Sequence, residues 1–460
     1  MLFSSLVFLF FFLPAVLILY YLLPARFRCA FLLLADLVFY GFGEPAFVLL
    51  MLLSIVINYI GGRCIALAGR ARKTALAASL LLDLLLLGIF KYAGFLCDTL
   101  RLLPPLAGLP AVSIPLPIGI SFYTFQSMSY LIDVYRADCL PQRNILTFGA
   151  YISLFPQLIA GPIVRYRDVE RELADPHRES AEKFSLGAEL FLIGLSKKVL
   201  LANPLGALWA QLSANPAALG AVGAWAGAAA FSMQLYFDFS GYSDMACGLG
   251  QMFGFTFCRN FSYPYTAKTV SDFWRRWHMS LTGWFRDYVY IPLGGSRCPL
   301  PRTLFNIAVV WMLTGLWHGA SWNFVLWGLY YAVLLVLEKL FLGKVLEHLP
   351  AVVGRAYTLV CVAAGWMLFA LEDMGHLRAY LAAMFTPGRS SGAAAAAVLA
   401  YLPLMLAAAL ACLPVVRTRF LRLPERPRRA AAAALSVCAL VLCTAALVSD
   451  SYNPFLYFRF

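Results

Sequence analysis

His318 is the residue with the clearest chemical potential. From Thr303 to Leu337 the chain has no Asp, Glu, Lys or Arg, and His318, near the middle of that run, is the group there that titrates near neutral pH. An ionisable side chain at bilayer depth costs about 2.5–3.5 kcal/mol on insertion scales, so one kept there needs a function or a partner. Burial favours the neutral imidazole, which accepts a proton at physiological pH, as a general base must. A histidine merely hydrogen-bonded to a neighbouring helix would look the same in sequence. A straight helix over this run would overshoot a hydrocarbon core of about 30 Å. A bend is therefore predicted at Gly319 to Asn323, leaving His318 at a helix end with Trp311, Trp317, Trp322 and Trp327 around it.

A second island runs from Asp272 to Asp287. At helical period it separates Phe273, Trp274, Trp277, Leu281, Trp284, Phe285 and Tyr288 from Arg275, Arg276, Ser280, Arg286 and Asp287. The pattern predicts one amphipathic helix lying in the membrane interface. His278 falls on its apolar side, while Arg275 and Arg276 are placed to meet the phosphates of a donor arriving from the cytosol. The third island holds Asp238 and Asp244. Six residues apart, they share no helix face unless Gly241 breaks the turn, so a paired acid/base role is not expected. A structural role is: accepting hydrogen bonds from broken backbone or from arginines of the interfacial helix. Asn323, beside the predicted bend, is a further polar group near His318.

The elements that must position these groups are membrane helices. Of 460 residues 62% are hydrophobic and 13% charged, against roughly half and a quarter in a soluble domain. No stretch outside the apolar segments can build a separate core, which excludes a soluble enzyme and a nucleic-acid binder. The net charge of +13 therefore reads as topology, with basic clusters near 26–28, 63–73 and 417–429 marking the cytoplasmic side. Eleven cysteines without a C-x-x-C pair suggest neither a zinc site nor a disulfide framework. Apolar stretches recur often enough for about 11 to 13 transmembrane or re-entrant helices at ~20 residues each. The fold class is an all-α polytopic membrane protein. Leu2 to Leu23 is taken as a retained first helix with the N-terminus extracytoplasmic. Six arginines before Ala430 to Val448 place the tail beyond 449 outside as well.

Long motifs carry a family resemblance over nearly the whole chain. They are P-I-G-I-S-F-Y-T-F-Q at 117–126, L-I-A-G-P-I-V-R at 158–165, Y-F-D-F-S-G-Y-S-D at 236–244 and N-F-S-Y-P-Y at 260–265. S-D-F-W-R-R-W-H at 271–278, W-F-R-D-Y-V-Y-I-P-L-G-G at 284–295 and L-T-G-L-W-H-G-A-S-W-N-F at 313–324 complete the set. Together they resemble the membrane-bound O-acyltransferase (MBOAT) family, in its bacterial alginate O-acetylation-type branch. The resemblance implies a helical bundle with a central tunnel, His318 as the essential histidine at its waist, and His278 as a second, supporting histidine. Relatives carry an arginine where Ala370 follows Phe369 here.

The tail Pro454 to Phe460 resembles the C-terminal motif of the small companion protein of teichoic-acid D-alanylation, whose tyrosine is thought to carry the acyl group. Here that tyrosine is Tyr457. An aromatic anchor for the last helix is the plainer alternative. The expected organisation is an acyltransferase domain over 1–449 and an extracytoplasmic tail over 450–460.

The expected function is transfer of an acyl group, acetyl above all, to an extracytoplasmic polysaccharide or cell-wall polymer from a bacterial cytoplasmic membrane. The donor is acetyl-CoA or another acyl-CoA or acyl carrier protein, with no bound cofactor and no metal. The expected partners are a serine-esterase-like acetyltransferase outside and the membrane lipid, with no nucleic acid. One rival is D-alanyl transfer to teichoic acids from a carrier-protein thioester. The other is a polysaccharide or lipid-intermediate transporter, which should show internal repeats and paired intramembrane charges; neither is found.

Overall fold

The computed structural model describes residues 1–175, 179–388, 390–449 and 455–456. Among these every regular element is helical and none is a strand. That is what lipid demands of a chain this apolar, since only helices or closed barrels satisfy all backbone donors and acceptors internally. Six helices are long and apolar enough to cross a membrane: Pro45–Leu67, Gly69–Arg101, Trp322–His348, Ala351–Ala370, Gly392–Ala411 and Glu425–Ser449. The protein is thus a multi-pass, all-α membrane protein, with further helices that are shorter or more polar.

Two compact units are formed, one from residues 1–191 and 245–258, the other from 192–244 and 259–460. In the first, the helix Ile120–Arg136 buries thirteen of its seventeen residues, including Gln126 and Asp133. Its start is fixed by Gly119 at φ +78°, where an added Cβ would lie 2.7 Å from the Leu158 carbonyl oxygen; only glycine fits. The short helix Phe155–Leu158 is capped from a distance. Asp36 accepts the Phe155 N–H at 2.8 Å, satisfying a donor that the helix leaves open. The Pro- and Gly-rich motifs of this unit are therefore buried in protein, as irregular backbone at membrane depth must be.

The second unit carries the three polar islands. The helix Leu300–His318 stops where the sequence predicts, and the next, Trp322–Leu337, starts four residues later. The two pack as a tight antiparallel hairpin because small residues face each other. A Cβ on Gly315 would lie 2.4 Å from the Phe324 carbonyl, and one on Gly328 would lie 2.6 Å from that of Trp311. Gly319 closes the tip beneath the Phe324 ring, which a Cβ would meet at 2.1 Å.

The expected single helix over 272–287 is not what forms. Two short helices, Val270–Arg276 and Met279–Phe285, are separated at Trp277 and His278, and His278 is left-handed at φ +45°. Nor is the apolar face turned to lipid, since Phe273, Trp274, Trp277, Leu281 and Trp284 are all buried in protein. Gly241 does not break the 221–252 helix, which runs through it unbroken. Its role is close approach: a Cβ there would lie 2.7 Å from the Gly194 carbonyl.

Candidate active site

His318 ends its helix at the hairpin tip, 5% exposed. Its ring is walled by Trp317, Trp327 and Phe369, with centroids at 5.0, 5.0 and 5.3 Å and all three nearly perpendicular to it. The aromatic shell predicted from the sequence forms, with changes. Trp311 stands one layer behind, against Trp327 at 5.9 Å, Trp322 is 50% exposed, and Phe369 joins from the helix Ala351–Ala370. Asn323 explains how Phe369 arrives. Its amide donates to the Leu368 and Phe369 carbonyls at 3.4 Å each and its oxygen accepts from the Ser321 hydroxyl, so one side chain fastens that helix end to the hairpin.

His278 reaches the same aromatic cluster from a different element. Its ring lies 4.7 Å from Phe239 and 5.8 Å from Trp317, and Trp317 in turn touches His318. The two histidines thus both pack against one indole. What bends the chain at His278 is Asn260, which in sequence stands out only as the first residue of the N-F-S-Y-P-Y motif. The Asn260 carbonyl accepts the Met279 N–H at 2.9 Å. Its side-chain oxygen accepts from the Ser280 N–H at 3.2 Å and the Ser280 hydroxyl at 3.0 Å, and lies 3.1 Å from His278 Nδ1.

This geometry sets the histidine's tautomer. An oxygen already receiving a backbone N–H is an acceptor, so Nδ1 must donate, and in the neutral ring the lone pair then sits on Nε2. Nε2 is buried and has no hydrogen-bond partner among the described residues. Burial also pushes the imidazole down to about 3, so the ring is neutral at physiological pH. A neutral imidazole held by a third group, with its Nε2 lone pair free, can accept a hydrogen bond from a substrate hydroxyl and orient it.

The carboxylates find partners other than those expected. Lys198 meets Asp238 at 2.5 Å and Lys197 meets Asp244 at 2.5 Å, the two lysines opening a π-helical turn at 197–202. The lysines, not arginines of the 270–285 region, neutralise this island. They sit some forty residues upstream in sequence, where no local spacing signals them. Asp238 also accepts the Leu456 N–H at 2.8 Å, and the buried Phe455 packs at 4.8 Å from Tyr242 and 6.1 Å from Phe239. The start of the tail is thereby held one side chain, Phe239, from His278. Tyr457 lies outside the described residues.

The two arginines singled out in sequence part company. Arg276 is turned to Asp272, 3.0 Å from both carboxylate oxygens, and to the Thr266 hydroxyl at 3.3 Å. Arg275 has no ion-pair partner among the described residues and lines a cavity.

A helical membrane protein with two buried histidines packed among aromatic rings is the setting for the candidate site. The chain belongs to the MBOAT, membrane-bound O-acyltransferase family, whose model matches residues 140–371. It is 44% identical over 402 residues to "Probable alginate O-acetylase AlgI" of Pseudomonas aeruginosa, covering 84% of this chain and 75% of that protein. To the protein of the same name from Azotobacter vinelandii it is 42% identical over 396 residues, covering 84% and 79%. To a "Peptidoglycan O-acetyltransferase" of Helicobacter pylori it is 32% identical over 411 residues, covering 81% and 78%. By family it is a membrane-bound O-acyltransferase.

Proposed function

We infer that this enzyme takes an acetyl group from acetyl-CoA at the cytoplasmic face of a bacterial cytoplasmic membrane and delivers it for O-acetylation of a polysaccharide or cell-wall polymer outside. The observation that carries this reading is the packing of both His318 and His278, each buried, against the Trp317 indole. His318 is the general base. It removes the acceptor hydroxyl proton as that oxygen attacks the thioester carbonyl, and returns the proton to the departing thiolate. At the C-terminal end of its helix, the carbonyl dipoles favour the imidazolium formed during that step. His278 makes no hydrogen bond to His318, so its role is towards substrate, with Nε2 orienting the hydroxyl. The aromatic shell excludes the water that would otherwise hydrolyse the thioester.

Tyr457 is the proposed first acceptor. A phenyl ester formed there has a better leaving group than an alkyl ester, so onward transfer to a serine or sugar hydroxyl runs downhill. The Asp238–Leu456 and Phe455–Tyr242 contacts support this, since they hold the neighbouring residues beside the site. Both chain termini face outwards in this reading, and an extracytoplasmic serine-esterase-like partner receives the group. His318→Ala is expected to abolish acetylation of the polymer while the protein remains membrane-inserted and monodisperse in detergent. Normal acetyl content with that variant would end the proposal.

A further inference from the structure

Three helices of the first unit, Val48–Leu67, Arg72–Leu87 and Ile120–Arg136, pack against one another and take no part in the mechanism above. The first two belong to membrane-crossing segments, yet the junction of the three is polar. Each helix buries a pair spaced one turn apart: Ser54 and Asn58, Ser79 and Asp83, Tyr123 and Ser127, with Gln126 beside the last. Contacts at three levels fix the register. At one end the Arg72 guanidinium donates to the Val134 and Tyr135 carbonyls at 3.3 and 2.9 Å. At the other, Lys91, on the continuation of the second helix, donates to the Ser121 hydroxyl at 3.0 Å. Between them all three helices meet at Gly61, where an added Cβ would lie 2.6 Å from Ser79 Oγ and 3.1 Å from the Leu131 side chain. The second and third helices therefore run antiparallel. One turn on from Ser79 and Leu131, Asp83 comes opposite Gln126 and Ser127.

Asp83 is a carboxylate inside a membrane span, which needs a partner or a function. Its Oδ1 accepts the Asn58 amide at 2.8 Å, and Lys91, two turns away and bonded to Ser121, does not pair with it. Five buried oxygens of this junction have no hydrogen-bond partner among the described residues: Asp83 Oδ2, Asn58 Oδ1, Gln126 Oε1, Ser127 Oγ and the Tyr123 hydroxyl. Tyr123 is near enough to Asp83 to interact with it electrostatically. We propose that this junction binds one sodium ion, held by Asp83 Oδ2 with the oxygens of Asn58, Gln126, Ser127 and Tyr123. Oxygen ligands of this kind suit a hard cation. Three of the five, the carboxylate and the two amide carbonyls, can only accept, so a cation satisfies them together where one water, with two protons, cannot. A single carboxylate balances a single positive charge, which favours a monovalent ion over calcium or magnesium. The close approach of the helices at Gly61 favours the smaller sodium over potassium. An ion held by all three helices ties them together at the one level where their packing is not apolar.

The experiment uses the full-length protein, purified in detergent in choline chloride and titrated with radioactive sodium, with thermal unfolding recorded in parallel. Saturable binding of one ion per chain is expected, and replacing choline with sodium should raise the melting temperature by about 2–4 °C, with potassium much less effective. Asp83→Asn, nearly isosteric, should abolish both effects. Ser127→Ala and Tyr123→Phe each remove one ligand oxygen with little change of shape, and each should weaken sodium binding about five- to tenfold. These two keep the test decisive if Asp83→Asn does not fold. Sodium binding retained in a folded Asp83→Asn protein, or unmoved by both Ser127→Ala and Tyr123→Phe, would overturn the proposal. So would an equal gain in potassium or choline, or a melting temperature that follows pH and ignores sodium, which would make Asp83 a protonated acid. The site does not depend on the acyltransfer reading: His318→Ala should bind sodium as the unaltered protein does.

Discussion

Asn260 is the most informative residue to perturb, because its one side-chain oxygen holds both the bend at His278 and the tautomer of that ring. Asn260→Ala removes an acceptor shared by His278 Nδ1–H, Ser280 N–H and the Ser280 hydroxyl. At about 1 kcal/mol net per hydrogen bond the loss is ~3 kcal/mol of stability. The imidazole is then free to turn and to exchange tautomers, and a misplaced orienting group costs on the order of 10²-fold in rate. Asn260→Asp is the sharper variant. It keeps an acceptor opposite Nδ1, so the tautomer survives, but its negative charge favours the imidazolium and raises His278 from about 3.

The sign follows directly. In the unaltered enzyme His278 is neutral throughout about pH 5–8, and its protonation does not limit the rate there. In Asn260→Asp the protonated fraction grows as pH falls, so the acid limb of the rate profile should move to higher pH while the alkaline limb stays in place. The assay is initial acetyl transfer against pH in proteoliposomes, with thermal unfolding recorded in parallel. An unshifted acid limb in a folded Asn260→Asp protein, or an unchanged rate in Asn260→Ala, would refute the assignment of Asn260 as the residue that orients His278.

Gly319→Ala places a methyl group into the Phe324 ring and should cost about 1–3 kcal/mol by overpacking, with His318 displaced and activity lost. Adding Phe324→Leu should restore part of both, as read by melting temperature and polymer acetyl content. For the tail, Tyr457→Phe keeps an aromatic anchor and removes only the hydroxyl, so polymer acetylation should stop while the protein melts as before. Lys198→Met, by leaving Asp238 buried without its cation, should cost about 3–5 kcal/mol and release the Leu456 contact, which cross-linking of a cysteine placed at 456 would report.

The reach of the sequence is seen by comparing these residues. His318 was legible because its signal is local: one titratable group in an apolar run too long for a straight helix, with glycines where the chain must turn. The helical class followed from composition for a similar reason, since the bilayer leaves an apolar chain few ways to satisfy its backbone. The segment 272–287 failed because periodicity assumes that a helix continues. Its break at His278 is imposed by Asn260, eighteen residues upstream, through hydrogen bonds that exist only after the chain has folded.

Arg275 and Arg276 look equivalent when adjacent in sequence, yet a 100° step around the helix turns one to Asp272 and leaves the other in a cavity. Asp238 and Asp244 announced themselves as charges needing partners, but Lys197 and Lys198 are brought to them by the packing of two helices against Gly241. The sequence by itself thus determined which residues are candidates for chemistry and that the chain is a membrane protein, because both depend on side-chain type and segment length. Which groups meet, which nitrogen of His278 is basic and which arginine lines a cavity were decided by tertiary structure, because hydrogen bonds and ion pairs act over a few ångströms in space whatever the separation along the chain.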